Sequence, residues 1–143
     1  MKRSMTRTAT GVMLSLLFTA AAQAEIAIVV NNSVGLSQIN ADVASDIFLG
    51  KLDALPDGTR MVPIDQEDGQ AARTEFYTKV VKKDAAQLNA YWSRLIFTGK
   101  GEPPKKVADN AEVIALVKSN PNIIGYVDGS AVNSSVKVLL RLP

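Results

Sequence analysis

Residues 62–76 read Val62-Pro-Ile-Asp-Gln-Glu-Asp-Gly-Gln-Ala-Ala-Arg-Thr-Glu-Phe76, a pattern that predicts a short strand, an acidic glycine-containing turn and the start of a helix. A helix that begins directly after a strand leaves its first backbone N–H groups free and places the positive end of its dipole at the turn. Such a point can hold an anion if the turn leaves it open. Asp65, Glu67 and Asp68 crowd the same turn and oppose an anionic guest. Two alternatives therefore stand, an anion cradle and an ordinary helix start whose N–H groups Asp68 already caps.

Four strands are predicted by apolar runs and their bounding turn residues, over Glu25–Asn31, Arg60–Asp65, Ile123–Val127 and Val136–Leu140. Pro63 indicates that the second strand is an edge strand or ends early, because proline cannot donate to a strand ladder. Residues 97–106 are rich in Gly, Pro and Lys and are predicted to form a loop.

Four helices are predicted by apolar residues at helical spacing. Asn40 is expected to cap the first helix and Asp84 the third. The second helix is expected to begin near Gly69 with Asp68 as its cap, and the fourth opens at Asn110. The order of strands and helices predicts an α/β fold with a mixed central sheet flanked by helices.

The first 24 residues have the three parts of a secretory signal peptide. Positions 2, 3 and 7 are basic, the run from Gly11 to Ala22 is apolar, and Ala22-Gln23-Ala24 has the small residues that precede a cleavage site. The apolar run is shorter than the roughly 20 residues of a membrane span, which makes a retained anchor the less favoured alternative. We therefore expect a cleaved leader over 1–24, a periplasmic location and one small domain over 25–143.

Composition excludes several classes of function. The leader takes away three of the 16 Lys and Arg residues and none of the 14 acidic ones, so the mature net charge is −1 and gives no indication of nucleic-acid binding. The sequence has neither Cys nor His, which excludes disulfides, the usual zinc, copper and haem ligands, and nucleophile–histidine pairs. Asp65 and Asp68 alone are too few to enclose Ca²⁺. No enzymatic activity, cofactor or metal is predicted.

Three segments of the chain form a series, Asp46-Ile-Phe-Leu-Gly-Lys51, Asp68-Gly-Gln-Ala-Ala-Arg-Thr-Glu-Phe76 and Asn122-Ile-Ile-Gly-Tyr-Val127. Their order and spacing resemble the phosphate-type periplasmic solute-binding proteins of ABC transporters. The run Tyr91-Trp-Ser-Arg-Leu-Ile-Phe-Thr-Gly-Lys-Gly101 resembles a small stand-alone branch of that superfamily. Members of the family close two lobes on the anion, and the 119 residues left after the leader cannot hold both. The resemblance therefore implies a single lobe of a periplasmic-binding-protein type II-like fold.

The resemblance assigns the family's anion-contacting turn to a short run that begins at Asp68. The family's Asp falls on Asp68, and the Gly that follows it falls on Gly69. The family's Ser-Gly-Thr falls on Gln70, Ala71 and Ala72. The hydroxyl groups of the family's turn are therefore lost here, while the Asp and the backbone amides are kept.

The positive charge of the family's turn is also altered. The family places an Arg two residues before the Asp, and this position is Gln66 here. Arg73 lies one step beyond the matched turn and either reaches back over it or lies on the solvated face. Further along the chain lie four more cations, Arg94, Lys100, Lys105 and Lys106. They form either a basic patch for an anionic partner or part of a solvated loop.

These observations lead to two expectations of function. The first is a non-catalytic periplasmic binding protein that resembles one lobe of the phosphate transport proteins and holds phosphate or another small oxyanion weakly, through the amides of Gly69 to Ala72 and the side chain of Arg73. The alternative is an accessory or sensory interaction module, for a membrane transporter or sensor, that has lost solute binding. A homodimer is also expected, because a second copy can cover the face that an absent lobe leaves open.

Overall fold

The computed structural model describes residues 24–143. Along this part of the chain the elements are β1 (Ile26–Asn31), α1 (Ala41–Phe48), β2 (Val62–Gln66), α2 (Ala71–Phe76), a π-helical turn (Tyr77–Val81), α3 (Ala85–Phe97), β3 (Lys105–Val107), α4 (Asn110–Ser119), β4 (Ile123–Asp128), a 3-10 turn (Gly129–Ala131) and β5 (Val136–Leu142). Apart from Ala24, the predicted signal peptide lies outside the described residues, and it stays a prediction together with the boundary at residue 25. None of the helices formed by residues 24–143 combines the length and the apolar character that a membrane crossing requires.

The strands in this part of the chain form one mixed sheet in the order β3-β2-β4-β1-β5. β2 runs parallel to β3 and β4, whereas β1 runs antiparallel to β4 and β5. The register of β1 pairs Ile28 with Tyr126 on one side and with Leu140 on the other. β1 and β4 are therefore interior strands with a partner on each side.

Helices cover both faces of the sheet, so β1 buries side chains on both. Ile26, Ile28 and Val30 belong to the core that α1, α2 and α3 cover, while Ala27 and Val29 belong to the core beneath α4. This alternation is the period-two geometry of a strand, and burial on both faces explains why the whole segment is apolar. The predicted α/β fold, with a mixed sheet flanked by helices, is confirmed.

One strand lies where the sequence predicts a loop. β3 has only three residues, and two of them are exposed lysines, so it shows no apolar run. It pairs with β2 from Ile64 onward, which makes the prediction of β2 as an edge strand wrong. Pro63 is tolerated because it lies in the part of β2 that pairs with β4 alone.

The starts of three helices agree with the sequence predictions. The Asn40 side chain accepts a hydrogen bond from the amide of Val43 at 2.9 Å. Asp84 and Gln87 form a reciprocal capping box at the start of α3. α4 begins at Asn110, as predicted, with the residue before it as the cap.

The start of α2 differs from the prediction. The helix begins at Ala71 after Gln70, and the Gln70 side chain makes no capping hydrogen bond. The prediction of Asp68 as the cap is therefore wrong. The carboxylate of Asp68 instead forms ion pairs with the side chains of Arg73 and Lys106.

Candidate functional site

A buried carboxylate lies at the carboxyl end of β2. Asp65 is only 3% exposed, and four donors converge on it, namely the hydroxyl groups of Tyr77 (2.7 Å) and Tyr126, Nη1 of Arg73, and the backbone N–H of Gln66 (2.8 Å). A buried charge is tolerated when it is both paired and hydrogen-bonded. Both conditions hold here, so Asp65 is the centre of a polar cluster inside an apolar core.

The members of this cluster come from four different elements. Asp65 lies in β2, Arg73 in α2, Tyr77 in the π-helical turn and Tyr126 in β4. Phe76 fixes the ring of Tyr126 by stacking on it, with ring centroids 4.0 Å apart and ring planes at 2°. The spacing of four residues between Arg73 and Tyr77 places them on one helical face, and the guanidinium lies 4.6 Å from the Tyr77 ring.

Burial and the charge of Asp65 set the protonation states of the cluster. Burial raises the pKa values of Tyr77 and Tyr126 well above their usual range, and the adjacent negative charge of Asp65 raises both further. Burial lowers the pKa of the Arg73 guanidinium, but the hydrogen bond and charge of Asp65 outweigh burial and raise this pKa overall. At neutral pH both hydroxyl groups therefore remain donors, and Arg73 remains a cation.

A second carboxylate binds Arg73 from the solvent side. Oδ1 of Asp68 lies 3.1 Å from Nε of Arg73 and 2.9 Å from Nζ of Lys106, and the Asp68 side chain is 74% exposed. The hydrogen bond from Lys106, and then the charge of Arg73, lower the pKa of Asp68. Of the two alternatives for Arg73, the structure shows the one in which its side chain reaches back over the turn.

A cleft of about 490 Å³ lies beside this shared guanidinium. The turn, α2, the π-helical turn and the start of α3 form its wall, which includes Gly69, Arg73, Tyr77 and Lys83. Gly69 has φ of +90°, a left-handed conformation that lets the backbone turn sharply out of β2. The volume lies within the roughly 300–1,000 Å³ that small-molecule clefts occupy.

The structure brings some of the predicted site residues together and separates others. The cleft is lined by Asp68, Gly69 and Arg73. Ala72 is buried in the core, the Gln70 amide donates to a carbonyl within the turn at 3.3 Å, and Ala71 lies exposed on the first turn of α2. The role of these six residues in holding an anion stays a prediction.

Sequence reasoning missed the centre of the cluster. Asp65 was expected only to oppose an anion, and no role was predicted for Tyr77 or Tyr126. The available signal was an Asp that ends an apolar strand and is followed, at helical spacing, by an Arg and a Tyr. Within residues 24–143, no group of three or more Asp or Glu side chains is arranged to hold a metal ion.

Gln66 occupies the position where the resemblance expects an Arg, and it belongs to the interior. Its Nε2 donates to Oδ1 of Asn110 and to the carbonyl of Tyr126, both at 2.9 Å. Its Oε1 is buried and has no hydrogen-bond partner among residues 24–143. These contacts tie β2 to α4 and β4, so Gln66 has a structural position and does not replace the missing guanidinium.

Comparison with known proteins identifies the fold. No protein-family model matches the chain, and no curated protein matches it. Among solved structures, a protein from Clostridium perfringens that is assigned as a phosphate ABC transporter substrate-binding protein, with bound phosphate, matches with a TM-score of 0.62 at 20% identity. An ABC-type phosphate transport receptor from Vibrio cholerae matches with 0.65 at 17%, and PstS from Borrelia burgdorferi with 0.60 at 12%.

The three matches cover 81% of this chain but only 44%, 45% and 46% of the other proteins. The chain thus spans less than half the length of the proteins it matches, as expected for a single lobe. The fold is that of substrate-binding proteins, and the predicted resemblance to the phosphate type is confirmed at the level of the fold.

Proposed function

We propose that this chain is a non-catalytic binding module that holds a small oxyanion weakly at Arg73. The observation that carries the proposal is the sharing of one guanidinium, at the wall of the cleft, between the buried Asp65 and the exposed Asp68. Phosphate is the first ligand to test, because two of the similar proteins are named for phosphate transport and one of them was solved with phosphate bound.

The two carboxylates that bind Arg73 have different roles in this proposal. Asp65 anchors the guanidinium, because separating this buried pair would leave an uncompensated charge in the core. Asp68 is exchangeable, because exposed ion pairs contribute only about 0–1 kcal/mol. An oxyanion can therefore replace Asp68 at Nε of Arg73 and at Nζ of Lys106, next to the amide of Gly69.

The same arrangement makes binding weak. Asp68 competes for both cations, and Glu67 adds a second exposed negative charge to the turn. One carboxylate 4 Å from an anion costs about 4 kcal/mol at an effective dielectric near 20, and about 1 kcal/mol in bulk water. Gln70 and Ala71 supply no hydroxyl group to offset this repulsion. We expect a dissociation constant on the order of 1 mM, equivalent to about −4 kcal/mol.

A non-catalytic role is supported by the chemistry of the side chains around the cleft. The sequence contains no Cys and no His. The hydroxyl groups of Tyr77 and Tyr126 donate to Asp65, and their raised pKa values keep them from acting as nucleophiles at neutral pH. Binding is therefore the function that this group of residues supports.

Two further parts of the proposal concern location and partner. The predicted leader over 1–24 supports a periplasmic location. The similarity to proteins named for ABC transport supports a membrane transporter as the partner. Purification of the chain from a periplasmic extract, with a mass that corresponds to an N-terminus at Glu25, would support the location, whereas a cytoplasmic chain with an intact N-terminus would contradict it.

Calorimetric titration with phosphate and with sulfate tests the proposed exchange. Asp68→Asn removes the competing charge and keeps the side-chain shape, so we expect roughly tenfold tighter binding, equivalent to about 1.4 kcal/mol. Lys106→Gln removes one of the two cations at an exposed position and should weaken binding by a similar factor.

Glu67→Gln is the matched control for this titration. It removes the same charge from the same turn, but Glu67 forms no ion pair with Arg73 or Lys106. A gain with Glu67→Gln equal to the gain with Asp68→Asn would show a general charge effect and contradict the exchange. Gln70→Ser is the variant that restores a hydroxyl group to the turn. Ala72→Thr is unsuitable, because Ala72 is buried and threonine there would force a polar group into the core.

A second function, an interaction module without solute binding, is favoured by one observation. Four donors already converge on Asp65, so the chain itself satisfies groups that could otherwise hold an anion. For this alternative we expect no heat from phosphate or sulfate with either the wild type or Asp68→Asn. A transporter or sensor protein would then co-purify with the chain from solubilised membranes.

A further inference from the structure

The carboxyl end of α3 exposes two large apolar side chains next to each other. Ile96 is 56% exposed and Phe97, the last residue of the helix, is 91% exposed. Across residues 24–143, the other exposed large hydrophobic side chains are Leu52 and Val62, and neither has an exposed apolar neighbour in the chain. Single exposed apolar residues are normal on a protein surface, but an adjacent pair at a helix end requires an explanation.

The segment after α3 folds back on the last helical turn and leaves Phe97 projecting. The N–H of Lys100 donates to the carbonyl of Leu95 at 2.8 Å, and the N–H of Gly99 donates to the carbonyl of Ile96 at 3.1 Å. A Cβ at Gly101 would lie 3.3 Å from the Leu95 side chain, so this segment packs closely against the helix. We call residues 94–102 the α3 tip.

The α3 tip has a small excess of positive charge that no salt bridge among the described residues neutralises. Arg94 and Lys100 are exposed in the tip, with Glu102 as its one acid, and the exposed Lys105 follows at the start of β3. None of the salt bridges formed within residues 24–143 involves these cations. The tip therefore combines projecting apolar side chains with a positive local charge, although the mature chain is expected to be slightly negative.

We propose that the α3 tip docks on an anionic phospholipid surface, with Ile96 and Phe97 inserted among the headgroups and Arg94 and Lys100 against the lipid phosphates. A bilayer interface accepts a few inserted apolar side chains when nearby cations add electrostatic attraction. A specific protein interface buries about 800 Å² on each partner, which is far more than two exposed side chains supply. The lipid surface is therefore the occupant that fits the size and charge of the tip. This inference does not depend on oxyanion binding at Arg73.

Vesicle co-sedimentation tests the proposal. The chain is purified from cells and its N-terminus is read by mass spectrometry, because an unprocessed leader would itself bind lipid. We expect binding to vesicles of phosphatidylcholine mixed with phosphatidylglycerol, little binding to phosphatidylcholine alone, and release at high salt. Phe97→Ser should reduce the partition coefficient roughly tenfold or more. Lys100→Glu should reduce binding to the mixed vesicles as well.

Val62→Ser is the matched control, because Val62 is 60% exposed but lies in β2, outside the tip. It should leave partitioning unchanged. Circular dichroism checks that each variant folds, which we expect for changes at exposed positions. The sequence has no Cys, so a polarity-sensitive fluorescent dye can be attached at position 97 alone in Phe97→Cys. The emission of this dye should shift to the blue on mixed vesicles if the side chain inserts. Absence of vesicle binding, binding unchanged by Phe97→Ser, or a dimer in sedimentation velocity that Phe97→Ser dissolves without any lipid binding would each overturn the proposal.

Discussion

A single carboxylate inside an apolar core determines the polar groups around it. Asp65 is tolerated there because donors surround it, among them Arg73, Tyr77 and Tyr126, and Tyr126 lies 61 residues away in the sequence. No local pattern could reveal Tyr126 as a partner. The spacing of Arg73 is local, but it does not decide whether that side chain reaches back over the turn or lies on the solvated face. The structure resolves it through Asp65 and Asp68, which bind the two sides of one guanidinium.

The two carboxylates should differ strongly in their effect on stability. Asp65→Asn removes the counter-charge of a largely buried guanidinium, and we expect the free energy of unfolding to fall by about 3 kcal/mol. Asp68→Asn removes an exposed partner of the same guanidinium and should change the free energy of unfolding much less, because solvent screens exposed ion pairs. Urea denaturation measures both. Equal losses in the two variants would contradict the buried role of Asp65.

The tyrosines of the cluster predict a loss of stability at high pH. Their pKa values are raised in the folded state above the unfolded value of about 10. The stability that comes from keeping them neutral is therefore fully present below about pH 10 and is lost as pH rises through this value toward the folded pKa values.

Urea denaturation across this range should show the free energy of unfolding falling more steeply in the wild type than in Tyr126→Phe, which has one fewer tyrosine to ionise. Parallel slopes in the two proteins would show that Tyr126 ionises equally in the folded and unfolded states, contrary to its buried position.

At the scale of elements, the sequence predicts those strands and helices whose signals are local. β1, β2, β4 and β5 have apolar runs, and Asn40 and Asp84 cap helices within three residues of themselves. β3 has no apolar run. Asp68 does not cap α2 as predicted, and its carboxylate instead accepts a hydrogen bond from Lys106, 38 residues further along the chain. Elements that form through such distant contacts are the ones that sequence reasoning misses.

The close approach of β4 and α4 gives a prediction at this scale. A Cβ at Gly125 would lie 2.6 Å from Cγ1 of Val113 and 3.3 Å from Cγ1 of Ile64, so one of the packed elements would have to move. Gly125→Ala should lower the free energy of unfolding by about 1–3 kcal/mol through overpacking. Gly35→Ala is the control, because a Cβ there would meet nothing within 4 Å. Equal denaturation midpoints for both variants would contradict the described packing of β4 on α4.

For the whole molecule, the proposed site at Arg73 belongs to a fold that matches only part of a two-lobed protein. The chain spans less than half the length of the substrate-binding proteins it matches, and in a two-lobed protein closure would bury the ligand from both sides. An oxyanion at Arg73 would instead remain open to solvent on one side, which is a second reason to expect weak binding. The predicted homodimer would supply a second wall. Sedimentation velocity of the processed chain measures whether this dimer forms.

The proposed exchange at Arg73 is tested most directly by nuclear magnetic resonance, which detects weak binding residue by residue. Phosphate is added to the ¹⁵N-labelled processed chain while the Nε–H resonance of Arg73 and the amide resonance of Gly69 are followed. Our account predicts that both resonances move together and approach saturation at millimolar phosphate, and that they do so at lower concentration in Asp68→Asn. Stationary Arg73 and Gly69 resonances at saturating phosphate, in the wild type and in Asp68→Asn, would contradict it.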